Sequence, residues 1–217
     1  MSKMQDEDPW HMEMKSHRPQ PKPRLTTEDK LLLLGVARDS VKAAVTGKTY
    51  IPIEPLSPNL TSMAGAFVTL KKNGMLRGCI GMIEARYPLY KVVSEMAEKA
   101  AMCDPRFESV QKDELEDMDL EISVLSPLRR IKSVEEVEIG RHGLVVEKGF
   151  YRGLLLPQVA TENNWTREEF LEYTCTKAGL GREAYKNPDA HLYVFSAEVF
   201  GEKELGIFSE DGFAKGR

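Results

Sequence analysis

The sequence predicts an α+β fold with mainly antiparallel pairing, and three observations predict it. Asn73-Gly74 sits between two strand-like runs and suits a two-residue hairpin loop. Residues 142–157 read as a second hairpin, turning near Lys148-Gly149. Hairpins and amphipathic helices then follow one another without the repeated βαβ units of a doubly wound sheet.

Taken in order, residues 1–24 are polar, Met-rich and Pro-rich, with Pro19, Pro21 and Pro23 alternating. That pattern favours an extended, disordered tail, so His11 and His17 are set aside as ligands. A first helix is expected from about Thr27 to Thr46, with capping at Thr26-Thr27-Glu28-Asp29 and a stop at Gly47. Leu31, Leu34, Val41, Ala44 and Val45 are expected on its apolar face.

The hairpin GAFVTLKK-NG-MLRGCIGMIE comes next. With an unshifted register Leu70 faces Arg77 and Val68 faces Cys79. Arg77, Cys79, Val68 and Leu70 then share one face, with Leu76, Ile80, Phe67 and Thr69 on the other. Leu89–Met102 reads as a second helix with Leu89, Val92, Val93, Met96, Ala97 and Ala100 buried. MDLEISVLS at 118–126 alternates as a strand, TREEFLEYTCTKAGL at 166–180 is a helix with a Thr166/Glu169 capping box, and HLYVFSAEVF at 191–200 is a last strand. Residues 203–217 read as a terminal extension.

The bulk numbers are those of an ordinary globular chain of 217 residues with a formal net charge of -4. That charge gives no cause to expect non-specific nucleic-acid binding. Cys79, Cys103 and Cys175 stand far apart with no CxxC, which suggests neither a disulfide framework nor a Cys-rich metal site. No apolar run approaches a membrane span, no secretory leader is visible, and a cytoplasmic location is the expectation.

LRGCIG at 76–81, preceded by GAFVTLKKNG, resembles the signature of the AMMECR family. DPRF at 104–107, ISVLSP at 122–127, HG at 142–143, RGLLLPQVATE at 152–162, KAGL at 177–180 and YVFSAEVFGE at 193–202 follow in that family's order. The resemblance covers roughly residues 25–202. It implies a two-lobed α+β domain, no settled biochemical activity, and a partnership with a Memo-like protein and a radical SAM protein. Met82, Ala85, Cys103 and Tyr185 depart from the pattern.

Cys79 is the sharpest chemical candidate, because a thiolate is a nucleophile or redox centre and Arg77 on the same face would favour it. Gly78 and Gly81 beside it leave room for a close approach. His142, in the turn Gly140-Arg141-His142-Gly143, is the candidate base. Arg106 can clamp an anionic group, Arg152 and Gln158 can line a pocket, and Glu121 can act as a base or polar contact. Each has a plainer structural alternative: a buried small thiol, a loop histidine, an Arg106–Asp104 ion pair, a capped strand end, a paired carboxylate. Cys175 is expected in the core, at helical spacing from Leu171 and Ala178. No intrinsic metal site or cofactor is predicted, since HExxH, GxGxxG and Walker patterns are absent. Three readings stand: a small-molecule or partner-binding module, an enzyme built on Cys79 and His142, and, ranked lower, a nucleic-acid-associated factor.

Overall fold

The computed structural model describes residues 24–207. The Pro-rich tail up to residue 23 and the last ten residues lie outside that range.

The strands are β1 (Ala66–Lys72), β2 (Met75–Met82), β3 (Met118–Leu125), β4 (Arg129–Arg130), β5 (His142–Lys148), β6 (Tyr151–Leu155) and β7 (His191–Gly201). They form one antiparallel sheet ordered β2-β1-β3-β7-β5-β6, with β4 also on β7. The helices are α1 (Thr27–Val45), α2 (Pro58–Thr61), α3 (Leu89–Met102), α4 (Pro157–Glu162) and α5 (Arg167–Lys177). The expected α+β class is what the chain adopts, with both lobes built on one sheet. Strand β7 joins them, pairing β3 through residues 197–201 and β5 through residues 191–196.

Each lobe covers the outer face of its half-sheet with helices. In the first, α1 and α3 bury Leu33, Leu34, Ala37, Val41, Val92, Val93, Met96 and Ala97 against Val68, Leu70, Leu120, Ile122 and Val124. Helix α1 starts within the stretch expected to cap it, on a capping box of Thr26 with Asp29. Its buried stripe is Leu33, Leu34, Ala37, Arg38 and Val41, so Leu31 turns outward at 42% exposure, contrary to expectation. In the second lobe α5 packs Phe170, Leu171 and Cys175 onto Leu144, Val146 and Val194. The chain also keeps packing past Glu202, because Leu205 and Ile207 lie against the first core.

The inner face carries a third cluster, with Leu125, Val145 and Phe195 buried and Phe67, Ile83, Leu154, Leu156 and Tyr193 packed around them. The sheet curls over this cluster. Arg152 of β6 consequently reaches Glu84, just past the end of β2, with Nη1 3.0 Å from Oε1.

The first hairpin needs a correction. Asn73 and Gly74 both have positive φ, as a type I′ turn requires. The register then slips between Leu70 and Lys71: Lys71 still faces Leu76, but Leu70 faces Gly78, Thr69 faces Cys79 and Val68 faces Ile80. Arg77 is the extra residue of a β-bulge. Cys79 therefore shares its face with Thr69 and Phe67, not with Val68 and Leu70. The physical reason is at Gly78. A Cβ there would lie 2.2 Å from the Ala100 carbonyl oxygen of α3. Only the shifted register puts the glycine, rather than a side chain, under the helix.

Candidate functional site

Cys79 stands near the middle of β2, an edge strand of the sheet. Its backbone faces outward, where a further strand would bind. The DPRF loop after α3 occupies that place instead. Asp104 Oδ2 accepts the Cys79 N–H at 2.8 Å, and Arg106 Nη2 donates to the Cys79 carbonyl at 3.1 Å. A carboxylate and a guanidinium thus close the exposed edge at this residue.

Asp104 is 5% exposed and takes hydrogen bonds from the Arg106 Nε at 2.9 Å and Nη2 at 2.6 Å, and from the Arg106 backbone N–H at 3.1 Å. The Arg106 side chain, with the backbone donors of Cys79 and Arg106, holds its carboxyl well below the usual carboxylate range despite burial. The Arg106 side chain remains about half exposed beside the Cys79 strand.

On the inner face the row across the sheet is Cys79, Thr69, Glu121 and Gly201. Thr69 Oγ1 donates to the Cys79 sulfur at 3.2 Å, and Lys71 Nζ lies 2.9 Å from Glu121 Oε2. Burial pushes the Cys79 thiol up; the Thr69 hydroxyl and Arg106 oppose this, and Asp104 and Glu121 add to it. In the adjoining row Val199 is 40% exposed while Ser123 beside it is buried at 1%, so the inner face here is exposed only in part.

The two glycines around Cys79 are each filled by the protein itself. Ala100 covers Gly78, and a Cβ on Gly81 would meet the Phe67 ring at 2.2 Å. Phe67 lies flat over its cross-strand glycine, and Phe195 does the same over Gly143 in the second lobe, where the distance is again 2.2 Å. Both rings belong to the floor of the inner face.

The other sequence candidates scatter. Arg77 turns away to Glu114, with Nε at 3.0 Å and Nη2 at 2.9 Å from the carboxylate, while Nη1 donates to the Glu108 carbonyl at 2.8 Å. His142 follows the alternation of Leu144 and Val146, so it lies on the outer face, opposite Cys79. It is also four strands away in the sheet order. Its Nδ1 sits 3.2 Å from the Glu138 N–H and 3.1 Å from the Glu136 carbonyl, which ties down its own turn. Arg152 is on the inner face between Glu84 and Glu147, each at about 3 Å. Gln158 is in the first turn of α4, beyond β6. Cys103 is exposed, and Cys175 is buried in the second core as expected.

The AMMECR1 family model matches residues 34–200. The chain belongs to the AMMECR1 family. A protein from Nanoarchaeum equitans is 40% identical over 177 residues, covering 78% of this chain and 98% of its own length. One from Aquifex aeolicus is 42% identical over 179 residues, covering 79% and 92%. The crystal structure of an uncharacterized protein from Pyrococcus horikoshii superposes with a TM-score of 0.75 at 40% identity, over 79% of this chain and 90% of that one. Fold and family are thereby settled together.

For this AMMECR1-family chain, sequence reasoning missed Thr69 as the partner of Cys79, Asp104 as the edge closer and Glu114 as the partner of Arg77. The bulge hid Thr69 and Glu114 alike, because it moves Thr69 opposite Cys79 and turns Arg77 out of the ladder. Glu114 also supplies a prediction. The Arg77 fork, helped by Lys72 and the Gln111 N–H, lowers its carboxyl from 4.5 to about 2. A carboxyl held below its unfolded value stabilises the fold above that value, and the contribution is lost as pH falls through the folded value. Chemical unfolding near neutral pH should therefore show Glu114→Gln less stable than the parent by about 2 kcal/mol, the scale of hydrogen bonds to a charged group. The gap should close as the pH falls from about 4.5 to about 2. A gap that stays constant over that range would refute the assignment.

Proposed function

We propose that the partly exposed, polar stretch of the inner face beside β2 is a binding groove. On this reading the chain is a small-molecule or partner-binding module that works with Memo-like and radical SAM proteins. The observation that carries it is the setting of Cys79. Its sulfur receives a hydrogen bond from Thr69 rather than facing a base, burial favours the neutral thiol, and His142 is on the far side of the sheet. A cysteine nucleophile needs a lowered pKa or an adjacent base. The surrounding Lys71–Glu121 pair, the half-exposed Arg106 and the aromatic floor instead provide the mixture of a few polar groups on an apolar base that suits recognition.

The test is co-purification of the full chain with the Memo-like and radical SAM proteins of its own organism. Cys79→Ser should keep binding, since no chemistry of the thiol is needed. Glu121→Lys sets two ammonium groups side by side on the groove floor and should lose binding by at least about tenfold, with its melting curve recorded to show that it folds. Retained binding by Glu121→Lys together with loss by Cys79→Ser would overturn the reading.

A further inference from the structure

The loop between α1 and α2 carries three of the most exposed large apolar side chains among the described residues: Ile51 at 81%, Ile53 at 90% and Leu56 at 101%. Pro52, Pro55 and Pro58 stiffen this stretch. Three aliphatic side chains projecting into water from a stiffened chain within six residues mark a surface that something covers.

The structure fixes where the preceding chain meets this loop. Asn59, in α2 just past the loop, donates from Nδ2 to the Arg24 carbonyl at 2.9 Å. Arg24, where the described chain begins, is thus held three residues past the end of the exposed loop. Among the 23 residues before Arg24, Trp10, Met12 and Met14 recur at every second position of the sequence, with His11 and Glu13 between them. Ile51 and Ile53 present the same alternation in the loop.

The lengths agree. Ten residues separate Met14 from Arg24, about 31 Å at the ~3.1 Å per residue of a Pro-rich extended chain. Eight residues separate Asn59 from Ile51, at most about 28 Å. The connecting stretch carries Lys15, Arg18 and Lys22 and no acid, whereas the loop carries Glu54 between its isoleucines and Leu56.

We infer that residues 10–14 of this same chain dock on the 51–56 loop, with Trp10, Met12 and Met14 against Ile51, Ile53 and Leu56. The tail is then an intramolecular strap over an apolar surface, separate from the groove beside β2.

Tryptophan fluorescence of the full chain tests this. Trp10 and Trp165 are its two tryptophans, so Trp165→Phe leaves Trp10 as the reporter. The inference expects a blue-shifted, quencher-protected Trp10 whose emission is independent of protein concentration. Adding Ile51→Ser, Ile53→Ser and Leu56→Ser should shift that emission to the red by several nanometres and restore quenching. Since all three positions are exposed, the fold should survive, and far-UV circular dichroism checks that it does. A solvent-exposed Trp10 in the parent would overturn the inference and assign the loop to another protein. A blue shift that disappears on dilution would overturn it in favour of a second copy, and one unmoved by the serine substitutions would overturn it outright. Should Trp165→Phe itself fail to fold, a photo-crosslinking residue at position 53 replaces the reporter. Mass spectrometry should then recover its adducts within residues 10–14, and adducts elsewhere would refute the docking.

Discussion

Glu202→Ala should destabilise the protein by about 3–5 kcal/mol, the range for breaking one half of a buried ion pair. Glu202 is 2% exposed and Arg38 6%. Arg38 Nε donates to Glu202 Oε1 at 3.0 Å, Nη2 donates to Oε2, and the Leu120 N–H donates to Oε2 at 2.8 Å. The guanidinium also donates to the carbonyls of Leu115 and Met118 at 3.0 and 2.7 Å. Burial pushes the Glu202 carboxyl up, while the Arg38 fork and the Leu120 N–H oppose it. Removing the carboxylate takes its Glu202 partner from a guanidinium that is buried against the first core. Glu202→Gln keeps an acceptor for Leu120 and should cost less. Urea unfolding measures both. A loss below about 1 kcal/mol for Glu202→Ala would mean that the pair contributes no more than an exposed one.

Gly78→Val is the second large effect. The obstacle is the Ala100 backbone carbonyl, which cannot rotate away as a side-chain tip could. Strand β2 must leave α3, or α3 must lift off Val68 and Leu70. Either costs more than the usual 1–3 kcal/mol of overpacking, so about 4 kcal/mol or outright failure to fold is expected. Gly35→Ala is the contrast. It lies on the exposed side of α1 with nothing within 4 Å of a built Cβ. Alanine there should raise stability by about 0.5–1 kcal/mol. Equal effects at the two positions would refute the packing account of Gly78.

These two sites show why some features were legible in the sequence and others were not. Features written in neighbouring residues could be read directly: the Asn73-Gly74 turn, the Thr166/Glu169 capping box and the buried stripe of α3. The bulge at Arg77 could not, because it is set by the carbonyl of Ala100, on a helix that follows the hairpin. The Arg38–Glu202 pair joins residues 164 positions apart. Its trace in the sequence was an arginine on the same helical stripe as Leu34 and Val41, and a stripe does not name its partner. The edge closure at Cys79 is half visible in the sequence: DPRF offers an Arg106–Asp104 pair, but its bonds to the Cys79 backbone follow only once β2 is known to be an edge. His142 was misplaced as a partner for Cys79 because one residue of alternation decides which face it joins.

On the proposed function, Cys79 is an unactivated thiol on the floor of a binding face. The most direct measurement is the rate of alkylation at each cysteine against pH, resolved by mass spectrometry, with exposed Cys103 as the free-thiol reference and Cys79→Ser as control. The account predicts that Cys79 reacts no faster than Cys103 at any pH and rises only above its ordinary value of about 9. Rapid, pH-independent reaction of Cys79 below about pH 7 would reveal a standing thiolate, and the enzyme reading would replace the binding one.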